Sequence, residues 1–138
     1  MNTAENDIRQ LLQRWEQALR DKDLDAILAL YADDVVAYDL MGAPRFDNKA
    51  AYAEHWRACM AQCPDGGFLA LQDIAVTAEG DLGFARFIAA GGPDEQTSIW
   101  MRGTVCYRRR DGEWKIVHEH WSVPVDMESG KARFDARP

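Results

Sequence analysis

The stretch Asp23-Leu24-Asp25-Ala26-Ile27-Leu28-Ala29-Leu30-Tyr31-Ala32-Asp33-Asp34-Val35-Val36-Ala37-Tyr38-Asp39 changes its hydrophobic period part-way along, and that change decides the fold. Asp23 has the short acceptor side chain that caps a helix N-terminus. Leu24, Ile27, Leu28 and Tyr31 follow at three- and four-residue steps, the inward face of a short helix. Ala32-Asp33-Asp34 ends that helix, because two adjacent acids favour a turn. Val35-Val36-Ala37-Tyr38 is β-branched in character and predicts a strand, which places Asp39 at a strand end. Met41-Gly42-Ala43-Pro44 reads as loop.

Upstream, Ile8, Leu11, Leu12, Trp15 and Leu19 form one apolar helical stripe, closed by the polar run Arg20-Asp21-Lys22-Asp23. Downstream, a third helix is predicted over 48–63, with Tyr52, Trp56, Cys59, Met60 and Cys63 on one side and Pro64-Asp65-Gly66-Gly67 as its break. Strands are predicted at 68–78, 82–90, 96–109 and 114–123. They are separated by Glu79-Gly80-Asp81, Gly91-Gly92-Pro93-Asp94 and Arg110-Asp111-Gly112, turn signals at the spacing of a meander. Pro124 closes the last strand and 125–138 reads as a polar tail, so 1–124 is a single domain. Three helices followed by long antiparallel strands predict an α+β fold, with a curved sheet wrapped like a cone around helices on one face. The space between the layers can form a cavity.

The chain's 138 residues suit one domain that folds without metal or disulfide. Its formal charge of -7 opposes binding to nucleic acid or to an anionic membrane surface, since both need a concentrated basic face. No apolar run approaches the ~20 residues of a bilayer span, and the acidic start does not read as a secretory leader. The expectation is a cytoplasmic protein. Cys59, Cys63 and Cys106 are an odd set without a leader, which argues for reduced thiols. Cys59 and Cys63, one helical turn apart, read either as half a metal or redox site or as small apolar filler. Phosphate-binding loops and nucleophile elbows are absent from the sequence.

The order of elements, the signature Asp23-Leu24-Asp25-Ala26-Ile27 with Leu30-Tyr31-Ala32-Asp33-Asp34, and the segment Tyr38-Asp39-Leu40-Met41-Gly42 together resemble the nuclear-transport-factor-two-like superfamily. That superfamily includes ketosteroid isomerase and the SnoaL-like cyclases. Gly112-Glu113-Trp114-Lys115-Ile116 and His118-Glu119-His120-Trp121-Ser122-Val123-Pro124 are closer to SnoaL-like proteins. The resemblance puts Asp39 in the place of the isomerase's catalytic aspartate. It puts Trp15 and Thr104 where that enzyme keeps its two oxyanion donors, a tyrosine and a protonated aspartic acid. An indole and a hydroxyl are weaker donors to an enolate, so the strict ketosteroid reaction is not implied. Trp56 and Trp121 fall on aromatic pocket positions, and the resemblance also implies a homodimer paired through the outer face of its sheet.

These residues make up the candidate site. Asp39, beside Tyr38 and Met41, is either a partly desolvated base or a surface-turn acid. In His118-Glu119-His120 alternate residues share a face, so matching Trp121 to a pocket position turns Glu119 inward, with Val117, as a second acid–base group. His118 and His120 then face outward, towards a dimer contact. If they face inward instead, His120 is a binding residue, or the pair ligates metal with His55 as a third. Arg102, in phase with Thr104, is either an anion partner in the cavity or an exposed strand arginine. Arg108-Arg109-Arg110, at a hairpin tip without a stacking platform, reads as solvated. The implied activity is cofactor-independent: an isomerase, cyclase or dehydratase that moves a proton on a small hydrophobic carbonyl compound. Asp39, Glu119 and Thr104 would be catalytic, and Trp15, Trp56, Arg102, Trp121 and His120 would bind substrate, with no metal ligand. The alternatives are a binding protein that uses the same pocket without chemistry and an oligomerisation module.

Overall fold

The computed structural model describes residues 2–62, 68–93 and 98–138. Helix α1 (Thr3–Arg20) starts at Asn2, whose side chain accepts the Glu5 N–H at 2.8 Å, and it buries Ile8, Leu12, Trp15 and Ala18. Fully burying an aliphatic side chain of this kind contributes about 1.5–3 kcal/mol. Helix α2 (Leu24–Leu28) is capped by Asp23, as its sequence predicts. Strand β1 (Tyr31–Tyr38) leads to α3 (Lys49–Ala61), whose cap Asn48 accepts the Ala51 N–H at 2.8 Å. The meander is β2 (Phe68–Glu79), β3 (Leu82–Gly92), β4 (Ile99–Arg110) and β5 (Glu113–Ser122). The sheet order is β1-β5-β4-β3-β2. Helix α1 lies over β2 and β3, and α3 lies against β1. The result is the expected α+β layering.

Two local readings change. Tyr31 begins β1 instead of closing the second helix, because Leu30 O accepts the Ile116 N–H at 2.8 Å and Tyr31 pairs with Ile116. Capture by a neighbouring strand outweighs one more turn of a short helix. β1 joins β5 in parallel, so the sheet is mixed, with the antiparallel meander as its larger part. Segment 125–138, read as a polar tail, makes the following contacts. Val125 bridges Ala132, the Trp100 N–H donates to Phe134 O at 2.9 Å, and the Arg137 guanidinium lies over Trp100, 5.2 Å from the ring centre.

A bulge in the β4–β5 ladder governs which residues face the core. Register shifts between Cys106↔His118 and Tyr107↔Ile116, so β5 carries Val117 as an extra residue. Trp114 and Ile116 point inward before it, and Glu119 and Trp121 point inward after it. The expected grouping of Val117 with Glu119 therefore fails, because one inserted residue reverses the phase of a period-two strand.

Candidate functional site

Glu119 is the one buried charged or polar residue of the described core. The bulge turns it inward, and three donors close on its carboxylate. Tyr31 O–H donates to Oε1 at 2.7 Å, Tyr52 O–H to Oε2 at 2.5 Å, and Trp121 Nε1–H to Oε2 at 2.9 Å. Trp15 extends the network by donating to the Tyr31 oxygen at 3.2 Å. Among the described residues no cation pairs with Glu119. Burial raises its carboxyl above the ordinary glutamate range, the three hydrogen bonds pull it back down, and the charge of Asp39 adds to the rise. Burial, reinforced by Glu119, pushes the Tyr31 and Tyr52 hydroxyls well above ordinary tyrosine, so both remain donors.

Asp39 follows the last residue of β1 and is half-buried. Its Oδ1 accepts the Leu40 N–H at 2.7 Å, and its Oδ2 lies 2.6 Å from His55 Nε2. A carboxylate only accepts, so this geometry puts a proton on Nε2. The Cys59 sulfur, one turn along α3, is 3.6 Å from the same nitrogen. The His55 ring stacks on Phe46 at 4.4 Å and on Tyr52 at 6.0 Å, and those two rings are 5.4 Å from each other. Tyr52 therefore touches both groups: its hydroxyl holds Glu119 and its ring packs on His55. The side chains of Asp39 and His55 keep 23% and 11% of their exposure, whereas Glu119 keeps none, so the pair is the part of the site that solvent reaches.

The tryptophans expected to wall a cavity pack on one another. Trp15 stacks on Trp121 at 5.7 Å and meets Trp56 edge-on at 6.2 Å, and Phe87 adds a contact to Trp121 at 5.4 Å. A groove of about 400 Å³ between α1 and the β4–β5 turn is lined instead by residues such as Asp7, Arg14 and Lys115.

Thr104 and Arg102 lie elsewhere. Both are exposed on the outer face of β4, where Gly103, Val105 and Tyr107 take the inward positions. Strand alternation thus excludes Thr104 from the interior, and Arg102 donates to Ser122 Oγ at 3.0 Å on the outside. His120 is also outside and exposed. His118 donates from Nδ1 to the Val36 carbonyl at 2.6 Å, and Tyr38 lies edge-on to both imidazoles. Among the described residues no group of three metal-ligating side chains converges. Cys63 and the Pro64-Asp65-Gly66-Gly67 break fall outside the described residues, as does Asp94.

Sequence reasoning weighed His55 only as a third metal ligand and placed Tyr31 and Tyr52 only as inward apolar positions. The signal for His55 was its spacing, four residues before Cys59 and three after Tyr52 on one helix face. Its approach to Asp39 is a tertiary contact.

Among solved structures the chain is similar to an NTF2-like protein of unknown function from Pseudomonas putida KT2440. The two are 48% identical over 100% of this chain and 99% of that one, with a TM-score of 0.95. A proposed dehydratase of the NTF2-like family from Streptomyces avermitilis shares the fold at 16% identity, over 91% and 100% of the two chains, with a TM-score of 0.76. A proposed ketosteroid isomerase from Shewanella frigidimarina NCIMB 400 does so at 23% identity, over 82% and 92%, with a TM-score of 0.69. None of the curated proteins matches significantly. The SnoaL-like domain matches residues 8–126, which is most of the chain, and the protein belongs to that family within the NTF2-like superfamily.

Proposed function

We propose that the protein is a cofactor-independent enzyme of isomerase or dehydratase type, acting by proton transfer on a small hydrophobic carbonyl compound. The observation that carries this reading is the Asp39–His55 pair: a carboxylate 2.6 Å from an imidazole, partly open to solvent beside an apolar interior. Asp39 is the proton acceptor, and His55 fixes its orientation through the shared Nε2–H. The hydrogen bond donated by His55 fixes where the carboxylate points, and a general base must first be positioned within reach of the proton it takes. Glu119 sits too deep to meet substrate. Its role is to hold Tyr52, and through that ring the face of His55.

The test is exchange of the acidic α-protons of 2-tetralone into deuterated water, followed by proton NMR. Wild type should accelerate exchange, and Asp39→Asn should lose about 10²–10⁴-fold of that acceleration, the usual contribution of a positioned base. Exchange that is indifferent to Asp39→Asn sinks the reading. A non-catalytic binder is the second reading, favoured by one observation: both Asp39 oxygens already have internal partners.

The outer sheet face supports a homodimer as part of the same proposal. The ladders align Tyr38, His120, Thr104 and Arg86 in one row and Val36, His118, Cys106 and Phe84 in the next. Phe84 and Leu82 keep 43% and 53% exposure on β3, large apolar groups that a second copy would cover.

A further inference from the structure

The loop that leaves β1 comes back to it. The Ala37 N–H donates to Phe46 O and the Phe46 N–H to Ala37 O, each at 2.9 Å, so the loop is held at both ends. Three residues of this one loop converge on the His55 imidazole. Asp39 Oδ2 takes Nε2, Phe46 stacks on the ring at 4.4 Å, and Gly42 closes on the Cε1–Nδ1 side. A Cβ built on Gly42 would lie 3.2 Å from His55 Cε1, 3.3 Å from Nδ1 and 3.6 Å from Phe46 Cζ. The first two distances are tighter than ordinary van der Waals contact, so ring or loop would have to give way. Gly42 also has a φ of +82°, a left-handed conformation that glycine adopts without steric cost.

We infer that Gly42 is a positioning residue for the Asp39–His55 pair: its missing side chain lets the loop seat the imidazole against the carboxylate that the same loop carries. This role rests on the acid–base reading of the pair and deepens it. The imidazole cannot answer a Gly42 side chain by advancing on Asp39, because 2.6 Å is already shorter than the usual N–H···O range of about 2.7–3.2 Å. Nor can the loop simply lift. The Ala37–Phe46 bonds hold its ends, and the Leu40 N–H, 2.7 Å from Asp39 Oδ1, ties the carboxylate to the same stretch. What remains is rotation of the ring against its Phe46 and Tyr52 stack, which takes Nε2–H out of line with Oδ2. A carboxylate whose partner has turned away loses its fixed direction, and misplacing a reacting group by about 1 Å costs up to roughly 100-fold in rate. Gly112 supplies the comparison. Its φ is +79°, close to that of Gly42, yet nothing lies within 4 Å of a Cβ built there.

Gly42→Ala and Gly112→Ala form the test, because both place an alanine at a positive φ and only the first meets His55. Long-range nitrogen–proton NMR in alkaline buffer reads which His55 nitrogen holds the proton, with His55→Gln assigning the signal among the three histidines. Wild type and Gly112→Ala should carry the proton on Nε2. Gly42→Ala should share it between the two ring nitrogens and slow the α-proton exchange of 2-tetralone by about 10–100-fold, while Gly112→Ala exchanges like wild type. Backbone strain lowers the stability of both variants, so tautomer and exchange, not stability, separate them. Should Gly42→Ala fold poorly, Gly42→Asn carries the test, since asparagine tolerates left-handed φ and still brings the Cβ. A Gly42→Ala protein with its proton on Nε2 and wild-type exchange overturns the inference, as does a tautomer change that Gly112→Ala shares. The two ideas fail separately. An altered His55 tautomer in Gly42→Ala, with no exchange by wild type, keeps the positioning role and rejects the chemistry. Asp39-dependent exchange with an unaltered His55 does the reverse.

Discussion

Among the described residues Glu119 has hydrogen-bond donors but no cation around it, and its neighbours differ in what their loss costs. Tyr52→Phe removes one bond to the carboxylate, at about 1.5–3 kcal/mol. Tyr31→Phe removes one as well and also strands the Trp15 indole N–H, which gives to the Tyr31 oxygen. The expected order in urea unfolding is therefore Tyr31→Phe below Tyr52→Phe below wild type, with roughly another 1–3 kcal/mol separating the two variants. Equal losses would contradict the relay through Tyr31. Titration gives a second handle. Because burial raises the Glu119 carboxyl, folding favours its protonated form. That contribution is complete below the ordinary glutamate value near pH ~4.3 and is lost as pH rises towards the elevated folded value. Glu119→Gln cannot titrate there. The stability of wild type relative to Glu119→Gln should thus fall as pH increases from about 4, and a difference that is flat or rising would reject the assignment. The presence of an inward Glu119 beside Trp121 is legible in the sequence. Its tyrosine partners are not, because Tyr31, Tyr52 and Glu119 are separated by up to 88 residues and meet only across the layers.

At the scale of elements, the sheet and α3 place the site. Gly103 pairs with Trp121 and Phe87, and a Cβ there would come within 2.4 Å of the Phe87 ring and 3.0 Å of Trp121. Gly103→Ala should cost about 1–3 kcal/mol in thermal or urea unfolding, the range for overpacking a core. No loss would mean that the aromatic layer has room the structure does not show. Helix α3 fully buries only Tyr52 and Ala53, so its position depends more than usual on its cap. Asn48→Ala should cost about 1 kcal/mol. The same substitution should broaden the His55 ring signals in NMR, since the helix start anchors the turn before that residue. Helix starts at Asp23 and Asn48 are readable from short acceptor side chains ahead of apolar runs. The β5 bulge is harder to read: the alternation of Trp114-Lys115-Ile116 breaks at the adjacent apolar pair Ile116-Val117, but the sequence does not show that Val117 is left without a partner on β4.

For the whole molecule the open surface is the outer sheet face, where Tyr38, His118 and His120 form an aromatic group next to Thr104 and Arg102. Light scattering should give twice the 15.6 kDa chain mass, and Phe84→Glu should reduce it to one chain, because a charge cannot be buried there unpaired. A single-chain mass for wild type would remove the dimer from the proposal. Composition, charge and the change of period at Asp23–Asp39 by themselves determined the class of fold, the order of its elements and the strand-end position of Asp39. These follow from local periodicity and capping, which act over a few residues. Only the tertiary structure decided that Asp39 meets His55, that Thr104 and Arg102 lie outside, and that Glu119 is enclosed by Tyr31, Tyr52 and Trp121. Those outcomes depend on strand phase and on contacts between distant segments. A single bulged residue reverses the first, and no local pattern encodes the second.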